Sequence, residues 1–339
     1  MKTIKNILVP TDFSATASGA FGYAKVLAQA LNANITVLHV SPYFLAASEI
    51  AVPLDTKDEE IRLQETMEAF INDDTNEANV MVKTVVKTKL LRGESVSRIV
   101  ELSQSDSTDS IVMGTTGLQD FLSKIIGSTS LDVSNQAHCP VILVPRDAKW
   151  QPIDRVLFAS NIDSVTPPMV REMADFAQLF NAAIHFVHIS EKEHEPAATT
   201  KDGNALIDSI WAELYEKSSG SYPFEIHTVY GFDIVKQLSK YVYKNDINLI
   251  AFVSKHRNFW QNLIHNSVTQ KVAISTEIPM LIMHTDDTIQ SVPKSYNMVA
   301  QKTDIPSQKV DVPDKKTSLH SKLRQMFKGY RMEGQSFFF

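Results

Sequence analysis

One pattern of apolar runs occurs twice in this chain, at an offset of about 140–150 residues, which is a domain-sized period. Arg155–Ser160 (RVLFAS) echoes Asn6–Thr11 (NILVPT), and Ala183–Ile189 (AIHFVHI) echoes Ile35–Ser41. Tyr230-Gly231 before FDIVKQLSKYV echoes Arg92-Gly93 before ESVSRIVELS. Leu249–Val253 echoes Ile111–Met113, and Ile278–Met283 (IPMLIM) echoes Cys139–Val144 (CPVILV). A duplication of this kind restricts the fold to two copies of one unit, with Lys149–Pro152 as the linker.

Each unit alternates short strands with helices. In the first, Ile4–Pro10, Asn34–Val40, Val80–Thr88, Ser110–Met113 and Pro140–Val144 read as strands, being short, apolar and rich in β-branched residues. Ala15–Leu31 has Phe21, Ala24, Leu27, Ala28 and Leu31 at helical spacing, with Ser14 as N-cap. Further helices are expected near Lys57–Glu77, Gly93–Ser103 and Thr129–Ala137. Strand–helix alternation implies right-handed crossovers and a mostly parallel sheet. The expected fold is therefore α/β: two tandem doubly wound domains, each a five-stranded, mostly parallel sheet with helices on both faces. The expected boundaries are 1–148, 149–285 and a tail at 286–339.

Composition excludes several classes. The 339 residues carry 33 Lys+Arg against 39 Asp+Glu, a formal charge of −6, which argues against a nucleic-acid surface. No apolar run reaches the ~20 residues that span a bilayer. MKTIKNILVPTDF lacks the features of a signal peptide. One cysteine, Cys139, permits no internal disulfide, and the cytoplasm is the expected compartment. Its place before Pro140 suits a small buried filler.

The chemistry lies in Ile111–Ser130, IVMGTTGLQDFLSKIIGSTS. Gly114 and Gly117 follow a strand, and glycines there let backbone N–H groups approach a ligand. Gly127, Ser128 and Thr129 open a helix, where unpaired N–H groups, hydroxyls and the positive dipole end favour an anion. The same residues also suit a plain turn and N-cap. In doubly wound sheets ligands bind beyond the strands' carboxyl ends, where the strand order reverses. Pro10-Thr11-Asp12, Val40-Ser41 and Gly114–Gly117 all fall at carboxyl ends, which supports the phosphate cradle.

Gly114-x2-Gly117-x9-Gly127-Ser128 resembles the Gly-x2-Gly-x9-Gly-Ser/Thr signature of the nucleotide-binding universal stress proteins. ILVPTD (Ile7–Asp12), SIVMGTTG (Ser110–Gly117) and HCPVILVP (His138–Pro145) are similar to other parts of that family's domain. The chain thus resembles a tandem universal stress protein over residues 1–284. The resemblance implies ATP or AMP at the first copy. Asp12 and the Val40 backbone would flank the adenine and ribose end, with Pro10 and Thr11 beside them. Met113 and Gly114 would lie along the ribose, and Gly117, Gly127, Ser128 and Thr129 would hold the phosphates. A Walker lysine is absent, so the chain is not a P-loop NTPase. Mg²⁺ bridging phosphates is compatible, although no carboxylate pair stands out for it. Family members commonly pair through the closing strand. Here Val141–Val144 and Met280–Met283 are expected to join as neighbouring edge strands, forming an intramolecular pseudo-dimer. A further homodimer stays open.

The second copy has lost the cradle. Gly114 falls on Val253, Gly117 on His256, Gly127 on Asn266 and Asp12 on Asn161, and only Ser128 keeps a partner, in Ser267. A basic Lys255-His256-Arg257 loop could still hold an anion. The tail carries Leu319, Leu323, Met326, Phe327 and Tyr330 at helical spacing among basic residues, so contact with an anionic membrane surface or a partner groove is an option. His39 and His188 occupy matching strand positions and read as satisfied strand-end residues. No catalytic and no metal-ligating set is evident.

The leading functional expectation is an ATP/AMP-binding stress or signalling module acting on a protein partner. The alternatives are a slow ATP hydrolase and a nucleotide-independent scaffold. Gly114→Val is expected to abolish binding with the fold largely intact. Deleting 315–339 is expected to leave nucleotide affinity unchanged.

Overall fold

A computed structural model of the chain describes residues 3–42, 56–73, 84–105, 107–115, 128–146, 148–160, 167–190, 224–230, 234–254 and 277–284. Gly117, Gly127, the Lys255–Arg257 loop and the tail, for which the sequence carries expectations, lie outside the described residues.

The first half runs β1 (Asn6–Pro10), α1 (Ala15–Leu31), β2 (Asn34–Ser41), α2 (Thr56–Ile71), β3 (Val86–Arg92), α3 (Ser95–Ser103), β4 (Ser110–Thr115), α4 (Ser128–Gln136) and β5 (Val141–Pro145). The second runs β6 (Arg155–Ser160), α5 (Pro167–Gln178), β7 (Ala183–Ser190), β8 (Phe224–Tyr230), α6 (Ile234–Lys244), β9 (Leu249–Ser254) and β10 (Met280–His284). Their strands form one ten-stranded sheet, ordered β3-β2-β1-β4-β5-β10-β9-β6-β7-β8. Each half keeps the expected parallel, doubly wound arrangement, and the order reverses between β1 and β4 in one half and between β6 and β9 in the other.

The closing strands meet as expected. β5 and β10 pair antiparallel, with Met280 opposite Leu143, Leu281 opposite Ile142 and Ile282 opposite Val141. What would be two open edges becomes the centre of the sheet, and every residue of β5 is buried. An unpaired ladder so apolar would invite association with another chain, and the junction removes that liability.

Both faces of the sheet are covered, so the strands read as continuous apolar runs rather than as alternation. In β1, Ile7 and Val9 enter one core layer and Leu8 enters the other. In β2, Ile35 and Val37 enter the first, and Leu38 and Val40 the second. Both layers extend through both halves. α1 presents Ala17, Ala20, Phe21, Ala24, Leu27 and Ala28 to the first layer. It opens on Ser14, whose Oγ accepts from Ala17 N at 3.2 Å, and closes on Asn32 in the left-handed conformation. Cys139 is buried, as expected.

One strand differs from the sequence reading. β3 begins at Val86, six residues after the expected Val80, and ends at Arg92. The apolar run MVKTVV attracts the eye, but pairing with β2 runs from Ile35 opposite Val86 to Ser41 opposite Arg92. β3 is an outer strand, so Lys87, Thr88 and Lys89 are exposed and dilute its apolar pattern.

Candidate functional site

A cleft of about 230 Å³ opens at the carboxyl ends of β1, β2 and β4, where the first half's strand order reverses. Pro10, Thr11 and Asp12 line it from β1, and Leu38, His39 and Val40 from β2. Met113 and Gly114 form its floor from β4. Thr129 and Ser130 enter from the first turn of α4, Ser14, Thr16 and Ala17 from the start of α1, and Ser95 and Ile99 from α3. Eight of the sequence-nominated residues lie in or beside this space: seven line it, and Ser128 begins α4 next to Thr129.

The turn after β1 is held from several sides. Thr11 N donates to Leu38 O at 2.8 Å. The Thr11 hydroxyl accepts from Phe13 N at 2.9 Å, and Asp12 Oδ1 accepts from Ser14 N at 3.0 Å. These bonds turn the chain sharply enough to place Phe13 at φ 65°. Thr11 is buried and its hydroxyl is engaged, so its part is to shape the turn. Asp12 lines the cleft and is exposed.

His39 was read from sequence as a satisfied strand-end residue, and it is satisfied. Its Nδ1 lies 2.9 Å from Thr11 O, so that nitrogen carries the proton and donates to the carbonyl. Its ring stacks on Phe13, with centroids 4.4 Å apart and planes at 28°. It also lines the cleft, a second role that the sequence reading missed. The signal was its place beside Val40 at a carboxyl strand end.

Gly114 has a different local purpose from the one expected. A Cβ there would stand 2.7 Å from Thr16 O and 2.7 Å from Thr16 Cγ2. The missing side chain therefore lets the first turn of α1 lie directly on β4, which brings Ser14, Thr16 and Ala17 to the cleft wall. This corrects the expectation that Gly114→Val leaves the fold largely intact, because the added atoms meet backbone.

Strand register supports the alignment of the two halves. Gly114 lies opposite Val144 in β5, and Val253 lies opposite Met283 in β10. Since Val141 and Met280 open equivalent closing strands, Val253 occupies the place of Gly114.

Fold and cleft together define an α/β protein of the doubly wound class with an open cleft at its topological switch point, the place where such sheets bind ligands. The chain belongs to the Universal stress protein family, which matches residues 3–145 and again residues 152–284. It is similar to Universal stress protein Slr1230 of Synechocystis sp., with 24% identity across 82% of this chain and 99% of that protein. Universal stress protein MJ0531 of Methanocaldococcus jannaschii is 29% identical across 43% of this chain and 84% of its own length. A crystal structure of a universal stress protein from Archaeoglobus fulgidus shares the fold over 83% of this chain and 97% of that one, with TM-score 0.60 and 19% identity. No described helix is long and apolar enough to cross a membrane.

Proposed function

We propose that the first domain binds an adenine nucleotide in the cleft, and that the second domain serves as its fixed pairing partner. The observation that carries this reading is the convergence on one space of three strand ends and the first turn of α4. Backbone N–H groups in a helix's first turn have no partner within the helix, and the dipole makes that end positive. Thr129 and Ser130 put hydroxyls beside those donors. Phosphates would sit there, held also by Ser128, Gly117 and Gly127. The nucleoside would lie along Met113 and Gly114, toward the Val40 backbone and Asp12. Mg²⁺ would accompany the phosphates through their own oxygens. The domains divide near residues 148 and 285, and the module signals to a protein partner through its occupancy.

The second domain takes no nucleotide in this reading, because Val253 holds the register position of Gly114, whose missing side chain lets the first turn of α1 form the cleft wall. Calorimetric titration of the full chain with ATP and with AMP, with and without magnesium, tests both parts. One site per chain is the expected result, and Thr129→Ala combined with Ser130→Ala should weaken it about tenfold, the effect of losing two hydroxyl contacts of roughly 0.5–1.5 kcal/mol each. Unchanged affinity in that variant refutes the phosphate assignment, and two sites per chain refute the assignment of the second domain. Chromatography of the nucleotide afterwards should recover it intact; steady turnover would replace a binding module with a hydrolase.

A further inference from the structure

Two histidines and a glutamate converge on the second domain, far along the sheet from the cleft. His185 of β7 stands opposite Glu225 of β8 in the parallel register. His227 lies two residues beyond Glu225, so all three side chains leave the same face. Glu225 Oε2 is 2.8 Å from His227 Nε2 and 3.8 Å from His185 Nδ1. One ligating atom from each residue falls within 4.8 Å of the others.

We propose that His185, Glu225 and His227 form a binding site for a borderline divalent transition-metal ion, zinc above all. Two imidazoles and a carboxylate suit such an ion, whereas calcium and magnesium prefer oxygen-only shells. Zinc bonds of about 2.0–2.2 Å in a tetrahedron place ligand atoms about 3.4 Å apart, between the two separations just given. With the three ligand atoms no more than 4.8 Å apart, side-chain rotations that draw them together by at most about 1.4 Å would close the site. The fourth position is left for water or another ligand, as in sites with three protein donors.

The surroundings fit an enterable site with one anchored wall. The His185 side chain is only 8% exposed, while Glu225 and His227 are 61% and 39% exposed on the outermost strand. Tyr241 of α6 brings its hydroxyl to 2.9 Å from His185 Nδ1, the nitrogen that also faces Glu225, so a metal bound there would take the place of this hydrogen bond. The nearby cation, Arg155, is directed elsewhere, to Asn245 O at 2.9 Å and Asp246 Oδ2 at 3.2 Å.

The first domain supplies an internal comparison. Thr36 pairs with Lys87 at the register position of His185 and Glu225, and Lys89 takes the place of His227. A threonine and two lysines cannot hold a cation, yet the fold is the same. The cluster is therefore not demanded by the architecture, and it stands independently of nucleotide binding.

The test is titration of the chelator-treated full chain with zinc, followed by cobalt(II), whose four-coordinate complexes absorb visibly. The expected result is one zinc per chain, tetrahedral cobalt bands, and no displacement by excess calcium or magnesium. His227→Ala should weaken zinc by about tenfold or more, since even loss of outer-shell partners costs about 10–100-fold. Glu225→Gln keeps the shape and a hydrogen-bonding oxygen, so it reports on ligation even if the alanine variant folds poorly. Zinc held elsewhere would survive both substitutions. Unchanged zinc affinity in Glu225→Gln, or no tetrahedral cobalt signal in the wild type, overturns the site.

Discussion

Gly114→Ala adds one carbon where β4 meets the first turn of α1 at the candidate cleft. That carbon would lie 2.7 Å from Thr16 O and 2.7 Å from Thr16 Cγ2, whereas ordinary contact begins at 3.4 Å. The first turn of α1 must therefore retreat from β4 by about 0.7 Å, the difference between those distances. Overpacking of this kind destabilises by about 1–3 kcal/mol, partly offset by the roughly 0.4–1 kcal/mol that alanine removes from unfolded-chain entropy. The expected net loss is about 1–2 kcal/mol, read from the urea midpoint at constant m-value. Because Ser14, Thr16 and Ala17 move with the helix, nucleotide affinity should fall as well. Adding Thr16→Ser removes the Cγ2 contact but leaves the carbonyl in place, so it should restore only part of the stability. Full wild-type stability in Gly114→Ala, or complete rescue by Thr16→Ser, would refute the argument that strand and helix backbones set this contact.

Other consequences can be checked on the same chain. Leu281 is fully buried where β10 meets β5, so Leu281→Ala should lower unfolding free energy by about 2–5 kcal/mol. A urea-derived loss below about 1 kcal/mol would mean that the junction is looser than its register implies. Glu94 caps α3, and hydrogen bonds from the Ser97 hydroxyl and the Ser97 and Val96 amides hold its carboxyl below the ordinary 4.5. A depressed carboxylate stabilises the fold above its unfolded value, and that contribution is lost as pH falls through the lower folded value. Stability curves of wild type and Glu94→Gln should therefore differ modestly at neutral pH and converge in acid, once the pH has fallen through the lowered folded value, the difference being small because the group is exposed and screened. Parallel curves across that range would remove Glu94 as a charged cap.

The sequence was sufficient for whatever depends on neighbours along the chain. Apolar runs bounded by turn residues located eight of the ten strands, all but the outer β3 and β8, because a strand buried on both faces needs an unbroken apolar stretch. Ser14 announced α1, because an N-cap works within three residues. The repeat offset disclosed two units and the pairing of their closing strands. β3 was displaced because an outer strand exposes half its side chains and its pattern fades. Only the tertiary structure could decide what Gly114 is for, since its constraint is the backbone of Thr16, nearly a hundred residues earlier. Only the tertiary structure could bring Ser14, His39, Ser95 and Ser130 to one cleft. The same holds for His185, Glu225 and His227. No spacing rule joins residues forty apart, and parallel register is a property of two strands together, fixed by how both bury their faces rather than by either segment alone.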